Sequence, residues 1–192
     1  MLDTNLGQRF VTGGENELEE IINLYGEKLL RYATAILCDY HEAENVMQEV
    51  FLSAYQGRAA FDGGNLSAWL YTITYNRSMN QLKKRKILRF SELRDEMVSL
   101  VDDAGMSDET LRALQRLKPQ ERALLYGRIM EEQSYEDLSL LLGSSPAALR
   151  KQYERAKKKL SGYLNKRGEK VPAPADCLNT IHYGKEPQHE HI

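Results

Sequence analysis

The stretch SSPAALRKQYERAKKKL, residues 144–160, places cations and an amide where they can read nucleic acid. An Arg side chain pairs bidentately with guanine, a Gln pairs with adenine, and an Ala methyl touches the thymine methyl. Ser145, Ala147, Ala148, Arg150, Lys151 and Gln152 fall in the first turns of a helix that opens at Pro146, and Lys157, Lys158 and Lys159 lie further along. That order suits base edges first and phosphates afterwards. A second stretch, FDGGNLSAWLYTITYNRSMNQLKKRK at 61–86, mixes aromatics and amides with a basic end. Tyr71 and Tyr75 are four apart on one helical face, with Asn76, Arg77, Asn80, Lys83 and Lys84 on the same helix. Aromatics beside cations can stack unpaired bases while the cations hold the backbone. The opposing reading is two ordinary helices with solvated charged faces, and Trp69 alone is better read as a core residue.

The elements that must position these residues are all helical. Leu18, Ile21, Ile22, Tyr25, Leu29, Ala33 and Ile36 recur at helical spacing, predicting an amphipathic helix over 17–38. Asp39 precedes a second pattern with Ala43, Val46, Val50 and Ala54 on one stripe. Asp62-Gly63-Gly64-Asn65 is a loop signal, after which Ser67 is the expected cap of a helix running into Lys83–Lys86. Periodicity fades over 88–106, where acidic residues dominate. A helical set resumes at Ser107-Asp108-Glu109 with Leu111, Leu114 and Leu117 inward, and Pro119 opens the next helix with Leu124, Leu125 and Ile129.

The basic helix then sits in a recognisable frame. Ser134 and Asp137 suggest a capping arrangement for a short helix with Tyr135, Leu138, Leu141 and Leu142 on its face. Gly143 supplies a left-handed C-cap, Ser145 the next N-cap and Pro146 the first helical position. Leu149, Tyr153, Ala156, Leu160 and Leu164 face one side of the second helix. Two helices around a short Gly-containing turn, the second basic, form a helix-turn-helix pattern; the alternative is a plain αα-hairpin. The fold class predicted is all-α: two small helical domains, 1–87 and 107–167, joined by a flexible acidic linker at 88–106, with the C-terminal one a helix-turn-helix. Residues 168–192, with three prolines and three histidines, read as a mobile tail.

Charge supports two gripping points. The net charge of −2 hides sums of −7 over 1–62, +6 over 63–90, −6 over 91–109 and +7 over 150–167. Enzyme chemistry finds no footing, because there is no Walker loop and no nucleophile elbow. The sequence from His41 misses the zinc-protease spacing, its fifth residue being Asn45. Cys177, His182, His189 and His191 match no standard metal spacing, and the two cysteines suggest no disulfide framework, so no cofactor or metal is expected. No apolar run approaches the roughly 18 residues of a membrane helix, and the N-terminus lacks a signal-peptide core. A cytoplasmic protein without stable membrane insertion is expected.

Taken in order, EAENVMQEVFLSAY, the stretch at 61–86, a variable linker and LKPQERALLYGRIMEEQSYEDLSLLLGSSPAALRKQYERAKKKL resemble the extracytoplasmic-function group of the sigma-70 family. The resemblance covers about 17–87 and 107–164. It implies a bacterial transcription initiation factor. Region 2 would bind core RNA polymerase through Asn45, Gln48 and Glu49. Its loop at 63–66 and helix at 71–84 would recognise and melt the −10 element, with Asn65 a candidate to capture an unstacked base. Region 4 would set Pro146–Arg155 in the major groove of the −35 element. Factors of this group are commonly held inactive by an anti-sigma factor, often membrane-anchored. Asn45 and Asn80 stand where the family pattern has Asp, Ala148 where it has Thr and Gln152 where it has Arg. The rival reading is a helix-turn-helix regulator that never joins polymerase.

Overall fold

The computed structural model describes residues 3–91 and 108–165; the side chains at 3–5, 88–91, 108–109 and 165 lie outside that description. Among the described residues the chain is helical throughout. The order is α1 (Asp3–Thr12), α2 (Glu15–Leu37), α3 (Tyr40–Gly57), a 3-10 turn (Arg58–Ala60), α4 (Leu66–Ser91), α5 (Asp108–Gln115), α6 (Pro119–Ile129), α7 (Tyr135–Leu142) and α8 (Pro146–Asn165). The expected linker and tail fall almost wholly outside the described residues, as does the expected cap Ser107.

The N-terminal module packs α2, α3 and α4 around a shared core. Asp39 caps α3, its carboxylate accepting the Glu42 N–H at 3.0 Å, and the predicted stripe of Ala43, Val46, Val50 and Ala54 is buried. Four expectations are corrected. A further helix, α1, precedes the predicted first one and buries Leu6 and Phe10. It was missed because its polar content hides two anchoring residues at i and i+4. Ile22 is 41% exposed although it shares the helical spacing of the buried stripe. Asn65, not Ser67, caps α4, accepting the Ala68 N–H at 2.9 Å; Ser67 already lies inside the helix. Finally, α4 runs to Ser91, past the expected boundary at 87.

The C-terminal module follows its predicted design closely. Pro119 opens α6, and Glu121 accepts the Lys118 N–H at 2.9 Å. Ser134 caps α7 by accepting the Asp137 N–H at 3.0 Å, while its own hydroxyl donates to the Asp137 carboxylate. Gly143 closes α7 with φ +65°, a left-handed conformation that glycine adopts without steric penalty. Ser145 accepts the Ala148 N–H at 3.3 Å. Leu111, Leu114, Leu117, Ala156, Leu160 and Leu164 form one core cluster, and Leu124, Leu138 and Leu149 a second.

The two modules do not stand apart. Along α2 every residue from Tyr32 to Leu37, and Cys38 after it, is buried, and along α6 every residue from Arg122 to Gly127 is buried. A helix segment that is mostly apolar on every side must be covered on every side. Here α3 and α4 cover α2 from within the N-terminal module, and α6 covers it from the other. Spacing divides the labour on α6: Ala123 and Tyr126 join the N-terminal core, while Leu124 and Leu125 serve the C-terminal clusters.

Candidate nucleic-acid interface

The helix-turn-helix presents its predicted row to solvent. Ser145, Ala147, Arg150, Lys151, Gln152 and Arg155 are exposed and Ala148 is half-buried, while Leu149 and Ala156 anchor the opposite side. The caps fix the start of α8, so this row is held on a rigid element. Arg150 stands 3.8 Å from Glu136 and 5.3 Å from the Tyr135 ring centroid, contacts that steady the guanidinium without burying it. Lys157 lies 6.0 Å from the Tyr153 ring centroid. Lys159 behaves differently from its neighbours: its ammonium meets the Glu121 carboxylate at 2.5 Å and ties α8 to α6. Burial pushes the Glu121 carboxyl up, but the Lys159 ammonium and the Lys118 N–H outweigh it, and its pKa falls below the ordinary value.

The second basic block is built otherwise. In the loop before α4, Gly63 adopts φ +75° and Asp62 accepts the Gly64 N–H at 2.8 Å. Asn65 is exposed, although its side-chain oxygen serves as the cap. Trp69 packs against Phe61 with ring centroids at 4.7 Å, as its core reading implies. Along α4, Asn76, Asn80, Lys83 and Lys84 face solvent. Arg77 donates to the Ser53 hydroxyl at 2.7 Å and lies 3.6 Å from Glu49. Lys84 is 3.9 Å from the same Glu49, and Arg85 is 3.2 Å from Glu42. Glu49, expected to meet a protein partner, thus also holds two of the expected DNA-contacting cations.

Tyr71 and Tyr75 are not displayed. They are 2% and 7% exposed, on the face of α4 that carries the buried Thr74 and Ser78. Tyr71 meets Tyr32 edge-on at 5.1 Å, and Tyr32 in turn meets Tyr126 of α6 at 5.5 Å. Burial, with the Glu131 carboxylate beside it, pushes the Tyr71 phenol well above the ordinary tyrosine range. Burial likewise raises Tyr75, whose hydroxyl faces the Gln120 side chain of α6. In this arrangement neither ring offers a stacking surface, because Tyr71 packs on Tyr32 of α2 and Tyr75 is buried with Gln120 of α6 at its hydroxyl.

On α3, Asn45, Gln48, Glu49 and Leu52 are exposed on one side of the helix, opposite the buried stripe. Among the described residues no group of three or more His, Cys, Asp or Glu side chains gathers as a metal site. The histidines and the cysteine of the tail lie outside the described residues. No described helix is long and apolar enough to cross a membrane.

A two-module helical protein with a basic helix-turn-helix is the class that this geometry defines. Within that class, the Sigma-70 region 2 family matches residues 21–87 and the Sigma-70, region 4 family matches 107–160, together more than half of the chain. The chain is 28% identical over 171 residues to the ECF RNA polymerase sigma factor SigM of Mycobacterium tuberculosis, covering 85% of this chain and 86% of that one. It is 23% identical over 167 residues to the ECF RNA polymerase sigma factor SigE of Mycolicibacterium smegmatis, where the match covers 82% of this chain but only 65% of the longer relative. In fold it resembles CnrH, solved in complex with the cytosolic domain of CnrY, with a TM-score of 0.65 at 19% identity over 85% of this chain and 97% of that one. A similar likeness, TM-score 0.64 at 22% identity over 77% of this chain and 96% of the other, holds for the sigma factor RpoE of Bartonella quintana, solved with the anti-sigma factor NepR. The chain belongs to the extracytoplasmic-function group of the sigma-70 family.

Proposed function

We propose that the chain is an alternative sigma factor that directs core RNA polymerase to a two-element promoter and is itself restrained by an anti-sigma factor. The observation that carries the reading is the pairing, in one chain, of a rigid exposed recognition row on α8 with an exposed polar face on α3. Asn45, Gln48 and Glu49 on that α3 face meet core polymerase. Ser145, Ala147, Ala148, Arg150, Lys151, Gln152 and Arg155 read the −35 element in the major groove, with base contacts from the first turns and phosphate contacts alongside. Asn65, Asn76, Arg77, Asn80, Lys83 and Lys84 serve the −10 element and its melting, and Tyr71 and Tyr75 join them only when the face of α4 on which they are buried is uncovered. The two solved relatives captured with CnrY and with an anti-sigma factor support control by such a partner. The factor works in the cytoplasm and sits at the membrane where its anti-sigma factor is anchored there. No catalytic step and no cofactor is assigned to the chain.

Run-off transcription with purified core polymerase tests this. The expected result is a promoter-dependent transcript that is absent without the protein. Duplex binding by the chain without any co-elution with core polymerase would favour a plain helix-turn-helix regulator.

A further inference from the structure

We propose that α1 is a positioning element for the loop at 62–65, and that Gly7 and Gln8 set the shape in which that loop presents Asn65 to an unstacked −10 base. This role rests on the sigma-factor reading above and names further residues on which its base specificity depends. The helix lies ahead of residues 21–87, the part of the module matched to region 2. It packs on the 3-10 turn, on α2 and on α4, the elements that flank the loop or support it.

The loop has a closed side and an open one. On the closed side Gly63 is buried against α1, and the two backbones come this near because each offers a glycine. A Cβ at Gly7 would stand 3.2 Å from the Gly63 carbonyl oxygen, 3.3 Å from that of Gly64 and 3.4 Å from the Phe61 ring. A Cβ at Gly63 would stand 3.3 Å from Cγ of Gln8, so that side chain forms part of the loop's floor. The flanks are fixed as well. Phe10 is buried and meets Trp69 edge-on at 6.4 Å, and Trp69 stacks on Phe61 just before the loop. Arg58 donates from Nε to the Gly13 carbonyl at 3.0 Å, tying the end of α1 to the 3-10 turn that leads into the loop. On the open side Asp62, Gly64 and Asn65 are exposed. The Asn65 oxygen is used by the α4 cap, which leaves the amide NH2, a donor, for a base. A group that reads a ligand by hydrogen bonding must be held within about 0.5 Å of its working position. Any side chain at residue 7 would press directly on the loop carbonyls two positions and one position before Asn65.

The test uses holoenzyme reconstituted from the full chain and core polymerase. It is offered a pool of single-stranded DNA with a randomised central stretch, and the bound fraction is sequenced. Asn65→Ser keeps an oxygen to cap α4 but lacks the amide, so it marks the position that the loop reads. Gly7→Val is expected to lower the base preference at that position at least about fivefold and to leave the other positions within about twofold. Gln8→Ala changes an exposed residue in a helix and is expected to lower the same preference about twofold. Gly162→Ala, in α8 with open space around it, is the control and should alter no preference. A merely structural role for α1 would weaken binding alike at every position, whereas positioning flattens one. Folded Gly7→Val with the wild-type preference at the Asn65 position, or with an equal loss at all positions, would overturn the proposal. Where Gly7→Val fails to fold, an unchanged preference in Gln8→Ala overturns it. If Asn65→Ser alters no position, the loop reads no base and α1 has nothing to position. Failure of the wild-type chain to join core polymerase would instead sink the sigma-factor reading itself.

Discussion

The recognition row on α8 is tested most sharply by Arg150→Ala combined with Lys151→Ala. Both side chains are exposed, and the only contacts at Arg150 among those described are Glu136 at 3.8 Å and the Tyr135 ring at 5.3 Å. Exposed pairs of this kind contribute about 0–1 kcal/mol. Alanine is also a good helix former, so the unfolding free energy of the double variant should change by less than about 1 kcal/mol. Binding responds differently. Loss of a bidentate Arg contact to a base costs about 1–3 kcal/mol, which is roughly 5- to 150-fold in affinity. Removal of a phosphate-contacting Lys flattens the dependence of log affinity on log salt by about 1. Fluorescence anisotropy on a −35 duplex, repeated from low to moderate salt and paired with urea unfolding, separates these effects. The expected result is a shallower salt slope, a discriminating loss at the base read by Arg150, and an unchanged urea midpoint. A drop in binding equal for all duplexes, with a slope reduced by about 2, would show that both side chains meet phosphate only, and that the bases are read from elsewhere on α8. Unchanged binding at every salt concentration would remove α8 as the reading element.

Three further outcomes follow from the geometry. Gly143→Ala should destabilise the chain by about 1–2 kcal/mol, because φ +65° crowds a Cβ against its own backbone although the space around it is open, and Gly143→Asn should cost less; equal thermal midpoints for the two variants would show that the turn relaxes out of the left-handed region. Replacing Tyr71 and Tyr75 by alanine would hollow a packed interface at about 3–5 kcal/mol per large side chain, so Tyr71→Leu with Tyr75→Leu is the usable variant. It should spare duplex binding while cutting permanganate-reactive open complexes, and a normal permanganate footprint would take the two rings out of melting. For the Glu121 carboxylate the folded-state pKa lies below the ordinary 4.5. Its pairing with Lys159 therefore adds stability that is fully present above about pH 4.5 and is lost as pH falls through the lower folded value. Glu121→Gln should flatten that part of the pH–stability curve by less than about 1 kcal/mol, read by urea unfolding between pH 3 and 6; an unaltered curve would assign the acid transition to other carboxylates.

The parts of the fold legible in the sequence are those fixed by local chemistry. A Ser, Asp or Pro at a helix start and a Gly past a helix end act through their own backbone, so Asp39, Pro119, Ser134, Gly143 and Ser145 stand where expected. Stripes at 3.6 spacing located both sets of core residues. What stayed hidden depended on distant partners. Ile22 has the spacing of its buried neighbours, yet it is left 41% exposed. Tyr71 and Tyr75 have the type and spacing of a stacking pair, but whether such rings face water or protein is decided by partners distant in sequence, Tyr32 of α2 and Gln120 of α6. A signal for that contact was present all the same. The run YATAILC at 32–38 carries apolar residues on nearly every side of its helix, and ALLYG at 123–127 repeats the pattern. Two such segments in separate modules are candidates to meet each other.

Charge counting gave the two basic blocks equal standing, and packing separates them. Within the first block, Arg77 and Lys84 face Glu49 and Arg85 faces Glu42, so much of its positive field closes locally between α3 and α4. Within the second, Lys159 is tied to Glu121 and Arg150 loosely to Glu136, while Lys151, Arg155, Lys157 and Lys158 line the exposed side of one rigid helix. Electrostatic attraction to duplex DNA scales with the charge that reaches phosphate, not with the formal count. The α8 module should therefore carry most of the salt-dependent grip of the free chain. The α4 face should gain its share when a partner on α3 competes for Glu49 and frees Arg77 and Lys84. Glu49→Gln, which leaves Arg77 and Lys84 without that carboxylate, should steepen the salt dependence of single-stranded DNA binding by the free chain, read by fluorescence anisotropy, without shifting its urea midpoint.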